Sequence, residues 1–338
     1  MIIKVELQQN SYDIILERGA LNNVQKYFDL NRKVLVVTDT GVPKEYAEAV
    51  ASRAKESYVV TVDEGEHSKS FKEFERLLTK LLELGFTRSD CVVAVGGGVV
   101  GDLSGFVAAS FMRGIDFYNI PTTVLSQVDS SIGGKVAIDL LNVKNIVGAF
   151  YQPKCVLIDP EVLRTLPSRQ ISNGLAEAVK MGLTSDKDLF ELFENDTPLE
   201  EKLDLIIERS LKVKRAVVEV DEKENGLRRV LNFGHTLGHG IESAIGLDEL
   251  YHGECVALGM IPMCSPSVKK RLIPVLKSLN LPTSVRCDGD AVIDAIGHDK
   301  KSVGSGIKAI FVDEVSSFKF ESLTKDDFKS RLSEVIYI

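Results

Sequence analysis

Three of the five histidines, His235, His239 and His252, stand close together in the chain. The first two lie four residues apart in Asn-Phe-Gly-His-Thr-Leu-Gly-His-Gly. On a helix that spacing puts both rings on one face, about 6 Å apart at Cβ. H-x-x-x-H is a metal-binding spacing, but this one lacks the glutamate of H-E-x-x-H, so a zinc protease is not supported. A zinc site that works on a substrate takes three protein ligands and leaves a position open. The best carboxylate to complete such a set is Glu177, in Asn-Gly-Leu-Ala-Glu-Ala-Val-Lys, with Lys180 three residues on. Structural histidines and a solvated Glu177–Lys180 pair are the plainer alternatives.

A second group could hold phosphate. Gly96, Gly98 and Gly101 satisfy G-x-G-x-x-G after the apolar run Cys91–Val95. Glycines there let the backbone approach a pyrophosphate, and a helix N-terminus offers free N–H groups. The match is weak alone, because it follows several strands instead of the first. Its context strengthens it: Thr122-Thr123 follows the next strand, and Asp39 and Glu66 follow two earlier ones, where acidic groups suit ribose hydroxyls. Cations sit in polar, glycine-rich surroundings at Arg113, Lys135, Lys144, Lys180, Lys214, Arg228 and Lys300-Lys301. Gly133-Gly134-Lys135 resembles a phosphate loop, but Asp129 stands where the first glycine of G-x-x-x-x-G-K would be required, so a P-loop NTPase is rejected.

These residues need elements to carry them. Residues 2–8 and 11–16 read as a hairpin, and 33–38, 57–62, 91–95 and 115–120 as strands. Helical spacing over 41–56 and 68–84 separates them, which indicates a parallel sheet covered on both faces. Beyond Pro160 helical patterns dominate: 168–183, 186–194, 199–220, 227–245, 253–264 and 268–279, then a strand at 306–312 and a helix near 324–335. The expected architecture is an α/β N-terminal domain with a Rossmann-like parallel sheet, residues 1–160. A mostly α-helical C-terminal domain follows, residues 161–338. Ligands then favour a cleft between domains and the carboxyl ends of strands.

Composition narrows the classes. The 338 residues are 44% hydrophobic and 27% charged, with net charge −8, an ordinary globular balance that disfavours a nucleic-acid partner. The longest apolar stretch is too short and too interrupted by glycine to span a bilayer, so no membrane is expected. Five scattered cysteines form no C-x-x-C pair and point to reduced thiols in the cytoplasm.

Taken together the motifs are specific. G-E-H-S-K at 65–69, G-G-G-V-V-G-D at 96–102, P-T-T-V-L-S-Q-V-D-S-S-I-G-G-K at 121–135 and K-N-I-V-G-A-F at 144–150 lie in the first half. N-G-L-A-E-A-V-K at 173–180, L-R-R-V-L-N-F-G-H-T-L-G-H at 227–239, H-G-E-C-V-A-L-G-M at 252–260 and D-K-K at 299–301 lie in the second. The chain resembles the 3-dehydroquinate synthases, a family of sugar-phosphate cyclases with a glycerol dehydrogenase-like fold. The resemblance implies NAD in the first domain and one divalent metal, zinc or cobalt, in the second. Carried over by position, the metal ligands are Glu177, His235 and His252. His239 then looks like a substrate contact, against the spacing argument that pairs it with His235. The NAD contacts implied are Asp39, Glu66, Lys69, Gly97, Gly98, Val99, Asp102, Thr122, Thr123, Asp129, Lys135 and Lys144. The substrate contacts implied are Arg113, Lys135, Asn145, Lys180, Lys214, Arg228, Asn232, His239 and a lysine of the 300–301 pair, with Glu224 behind them.

The implied substrate is the small anionic sugar phosphate 3-deoxy-D-arabino-heptulosonate 7-phosphate, and the implied assembly a homodimer. Two departures stand out. The segment after His252 is short for the family, with Pro262 and Pro266 where a helix is usual. Cys255 stands where a small residue such as alanine is usual, which reads as a core exchange. A sibling cyclase, a polyol dehydrogenase of the same fold and an inert NAD-binding protein are the competing readings.

Overall fold

The structure is a computed structural model that describes residues 1–141, 143–246, 249–299 and 306–337. It divides into two compact units, Met1–Pro167 and Ser168–Ile338.

In the first unit, β1 (Ile2–Val5), β2 (Tyr12–Leu16), β3 (Lys33–Asp39), β4 (Glu56–Val62), β5 (Cys91–Gly96) and β6 (Asp116–Pro121) match the expected strands. Three more were not anticipated: β7 (Lys135–Leu140), β8 (Val143–Phe150) and β9 (Cys155–Ile158). β7 and β8 form a separate antiparallel hairpin. Two short apolar runs flanking Leu141-Asn142 are the signal that marks it. The main sheet runs β1-β2-β9-β6-β5-β3-β4, antiparallel only between β1 and β2.

Side chains alternate across each strand. Val34 and Val36 enter one core with Val93 and Val95, while Leu35 and Val37 enter the other with Val92 and Ala94. Helix α1 (Lys44–Ala51) contributes to the first core. Helices α2 (Phe71–Glu83) and α3 (Gly98–Ser110) contribute to the second. Both faces are therefore covered, as continuous β-branched runs require.

This strand order positions a site. β3 leads outward to β4, and β5 leads to β6 in the opposite direction, so β3 and β5 flank a topological switch point. Val37 pairs with Ala94, which brings Asp39 and Gly96 level at the two carboxyl ends.

The second unit is mostly helical: α4 (Ser168–Ser185), α5 (Lys187–Glu194), α6 (Leu199–Val220), α7 (His235–Ile245), α8 (His252–Met260), α9 (Pro266–Ser278), α10 (Gly289–Asp299) and α11 (Lys325–Leu332). The expected helix 227–245 is in fact two elements, a 3-10 turn at Leu227–Asn232 and then α7. Gly234 breaks it with φ +77°, a left-handed conformation that glycine adopts without a Cβ penalty. The expected helix 253–264 also stops early, because Ile261–Met263 tightens to 3-10 geometry and Cys264 bridges Val312. Pro266 then occupies the first turn of α9, where its missing N–H costs no helix bond. α10 and a strand at Lys319–Leu323, paired with Ile307–Phe311, were not anticipated. Cys255 is fully buried, with its backbone against Gly238, consistent with a core position. Among the described residues no helix is long and apolar enough to cross a membrane.

Gly234 also faces α8. A Cβ there would lie 2.7 Å from Met260 Cγ and 2.9 Å from the Val256 carbonyl oxygen. Gly234→Ala should therefore lower stability by roughly 1–3 kcal/mol, from the backbone conformation and the clash together. The thermal unfolding midpoint checks this; an unchanged midpoint would mean α7 and α8 separate at no cost.

Candidate metal centre and dinucleotide site

The candidate metal centre is assembled by three helices of the second unit. α4 carries Glu177 and Lys180, α7 carries His235 and His239, and α8 opens with His252. Glu177 is fully buried, and neither oxygen accepts a hydrogen bond of ordinary geometry among the described residues. Its Oε2 faces the Lys180 ammonium. Its Oε1 lies 3.5 Å from His235 Nε2 and 3.3 Å from His252 Nε2. Ligand atoms of His235, His239 and His252 also fall within 4.8 Å of one another. The solvated Glu177–Lys180 pair is thus excluded: Lys180 is 1% exposed and donates to the Leu231 carbonyl at 2.5 Å.

Electrostatics follow from this crowding. Burial works against ionising Glu177, yet Lys180, His235 and His252 together hold its carboxyl well below the usual range. Burial and the Lys180 charge push His235 well below the ordinary imidazole value. Burial opposes a charge on His252 too, but Glu177 and Glu242 raise it to about 9.

Residues that the sequence reading did not assign brace the centre. Arg169, Asn173 and Glu177 recur every four residues, so they share a face of α4. Asn173 Oδ1 accepts the Gly253 N–H at 2.6 Å. Arg169 grips Glu254 with two hydrogen bonds of 2.8 Å and stacks over Tyr251, 4.3 Å from the ring centre. One helix thus supplies a candidate ligand and also fixes the first turn of α8. The four-residue spacing was the available signal.

Around the centre, Arg228 is buried, with its backbone N–H on Asp221 and its guanidinium on the Glu222 carbonyl. Asn232 Nδ2 donates to Glu224 Oε1 at 2.7 Å, so Glu224 supports Asn232. Lys214 is buried on α6. Lys300 and Lys301 lie outside the described residues.

The first unit gathers the other group at the carboxyl ends of β3 and β5. α3 starts at Gly98 with Gly97 as its cap, and no side chain caps it. A Cβ on Gly97 would meet Thr123 Cγ2 at 3.1 Å, a tight contact that Thr123 would have to relieve. Val99 lies in the first turn, and the Thr122 N–H donates to Gly96 at 2.9 Å. Thr123 bonds Ser126, and Asp129 follows in the same irregular turn, Ser126–Ser130. Asp39 Oδ1 accepts from Gly41 and Val42, and burial raises its carboxyl above the ordinary value despite those bonds.

Lys69 is 3% exposed and joins Asp102 at 2.8 Å, Glu66 at 3.4 Å and the Asn145 amide oxygen. Asn145 takes φ +56° in β8, where its N–H donates to Asp139 at 2.7 Å. Its side chain is therefore drawn toward Lys69. Lys135, exposed at the start of β7, pairs with Phe150 at the other end of the hairpin. About four residues of strand, roughly 13 Å, separate it from Asn145. Lys144 neighbours Asn145, and Arg113 is exposed between α3 and β6 with φ +69°.

A parallel dinucleotide-type sheet and a helical unit with a histidine–carboxylate cluster define a class of two-unit proteins. The same fold is found in 2-deoxy-scyllo-inosose synthase solved with carbaglucose-6-phosphate, NAD+ and Co2+ (TM-score 0.88, 24% identity, 99% of this chain and 100% of that one). It is found also in 2-epi-5-epi-valiolone synthase from Streptomyces hygroscopicus, solved with NAD+ and Zn2+ (TM-score 0.88, 26% identity, 97% of each chain). Within that class, the chain belongs to the 3-dehydroquinate synthase family. The family's N-terminal model matches residues 59–173 and its C-terminal model residues 174–302. The 3-dehydroquinate synthase of Lactococcus lactis subsp. cremoris is 40% identical over 99% of this chain and 100% of its own length.

Proposed function

We propose that this chain converts 3-deoxy-D-arabino-heptulosonate 7-phosphate to 3-dehydroquinate and inorganic phosphate, a phosphorus–oxygen lyase reaction. Its resident cofactors would be NAD and one divalent metal, zinc or cobalt. The observation that carries the reading is the buried Glu177 carboxylate facing the Nε2 atoms of His235 and His252, in a chain that matches both halves of the family. Two imidazoles and a carboxylate are a donor set that zinc and cobalt accept, and the buried, unsatisfied oxygens of Glu177 fit such an ion. The glycine-rich start of α3, which no side chain caps, fits the pyrophosphate of a dinucleotide. When bound, NAD would take a hydride and return it, and the metal would polarise substrate oxygens.

The chain's own residues do the rest. Glu177, His235 and His252 would hold the metal, and Lys180 offsets the carboxylate charge from a fixed position. Gly97, Gly98 and Val99 would present backbone N–H groups to the pyrophosphate. Asp39 would accept from ribose hydroxyls, and Glu66, Lys69, Asp102, Thr122, Thr123, Asp129 and Lys144 would complete that site. Arg228 would fork onto the substrate carboxylate, with Asn232 oriented beside it by Glu224. Lys180 and Lys214 would meet substrate hydroxyls. The electrons of the C6–H bond form the C6–C7 double bond, phosphate leaves with the electrons of its C7–O bond, and a phosphate oxygen takes up the C6 proton. Lys135, His239 and the 300–301 lysines would stabilise the charge that grows on the phosphate oxygens, while Asn145, held by Lys69, lies on the dinucleotide side. Five free cysteines, four of them buried, support a cytoplasmic setting, and the homodimer rests on the family resemblance.

The test incubates purified protein with the heptulosonate phosphate, zinc and catalytic NAD. Phosphate should be released in proportion to substrate with no net NADH absorbance. Stoichiometric NADH would mean a polyol dehydrogenase, and absence of phosphate would sink the reading. Glucose 6-phosphate and sedoheptulose 7-phosphate, which lack the carboxylate that Arg228 suits, should turn over poorly.

A further inference from the structure

The two candidate histidine ligands present the same nitrogen to Glu177. His235 Nε2 and His252 Nε2 both face Oε1. An imidazole does this reliably only when its other nitrogen is held, because the proton and the ring orientation are set by that second contact. For His235 the holder is on its own turn: Nδ1 lies 3.0 Å from the Phe233 carbonyl oxygen. A carbonyl can only accept, so Nδ1 carries the proton and Nε2 keeps its lone pair.

Among the described residues no carbonyl plays that part for His252 Nδ1. Its backbone is fixed by Asn173 and by the Arg169–Glu254 pair, but these contacts leave the ring free to turn. The group that meets its Nδ1 is Glu242 Oε2, at 3.7 Å. Glu242 is 6% exposed and follows His235 and His239 on the same face of α7, at i+7 and i+3. A buried carboxylate is costly unless it is paired. About half an ångström separates this contact from hydrogen-bond length.

We propose that Glu242 is a positioning residue for the metal centre, holding the Nδ1 proton of His252 so that Nε2 is turned toward Glu177. The inference rests on the metal reading above and deepens it. His235 is oriented by backbone and His252 by a side chain, so only the second orientation can be removed by substitution.

The test strips divalent metal from the full-length protein and titrates it with cobalt(II) alone, reading visible absorbance and chelator competition. Glu242→Ala should weaken cobalt binding about 10–100-fold. Glu242→Gln, whose side-chain carbonyl still accepts the Nδ1 proton, should recover most of the loss, while NAD binding stays unchanged in both. Wild-type affinity in the alanine variant would overturn the proposal, and so would a glutamine variant as weak as alanine. Should the alanine variant not fold, histidine nitrogen NMR of the zinc-loaded wild type decides: a proton on His252 Nδ1 is expected, and one on Nε2 overturns it. If the wild type takes up no divalent metal, the metal reading itself fails. Metal binding that both variants leave untouched removes Glu242 alone.

Discussion

Glu177→Gln should leave the purified protein with little bound divalent metal and lower phosphate release by about a thousand-fold or more. The geometry makes this the most exposed single point of the centre. One fully buried carboxylate faces both histidine Nε2 atoms and the Lys180 ammonium at once. Removing its charge deletes a ligand and leaves Lys180 buried without its counter-ion. Loss of one member of a buried pair costs roughly 3–5 kcal/mol, because the survivor's desolvation is no longer offset. Metal polarisation is worth several kcal/mol at the transition state, and each ~1.4 kcal/mol is tenfold in rate. Elemental analysis and phosphate release read the two losses separately, and calorimetry reads stability. Stoichiometric metal in the variant would remove Glu177 from the ligand set. The three histidines, whose ligand atoms cluster within 4.8 Å, would then be the alternative. His239→Ala would lose metal in that case and retain it otherwise.

Lys69→Met should destabilise the first unit by about 2–3 kcal/mol and weaken NAD binding at least about tenfold. Lys69 is buried, and burial works to lower its pKa, but Asp102 and Glu66 outweigh that and raise it above the ordinary lysine value. A cation whose folded pKa is raised contributes its full stability below the unfolded value. That contribution is lost only as pH climbs through the folded value, so it is wholly present at neutrality. Methionine keeps the volume and leaves Asp102 and Glu66 facing each other beside the glycine cradle. The expected cost sits below the roughly 3–5 kcal/mol of a fully buried pair, since both carboxylates keep some solvent contact. Urea titration and NAD fluorescence measure the two effects. A variant with unchanged midpoint and unchanged affinity would show that the lysine is neither a structural hub nor part of the cofactor site.

Most of the parallel sheet was legible because its strands are continuous β-branched runs between helical spacings, a local signal. The β7–β8 hairpin was not, since its runs are short and β8 is largely exposed, which blurs the alternation. The break at Gly234 also escaped, because 227–245 carries helical spacing throughout. What stops the helix is the close approach of α8, a contact with residues more than twenty positions away.

The chemistry divides along the same line. Residue types and motif order alone determined the family, the glycine cradle and a pool of candidate ligands. Spacing paired His235 with His239, and only the resemblance replaced His239 by His252. The tertiary structure brought Glu177 between His235 and His252, buried Lys180 beside it, and drew Asn145 toward Lys69 and away from Lys135. It also gave Arg169, Asn173, Glu254 and Glu242 their contacts. The reason is physical: a motif specifies groups that are near in the chain. A metal centre needs lone pairs that converge from α4, α7 and α8, and convergence exists only once the helices have packed.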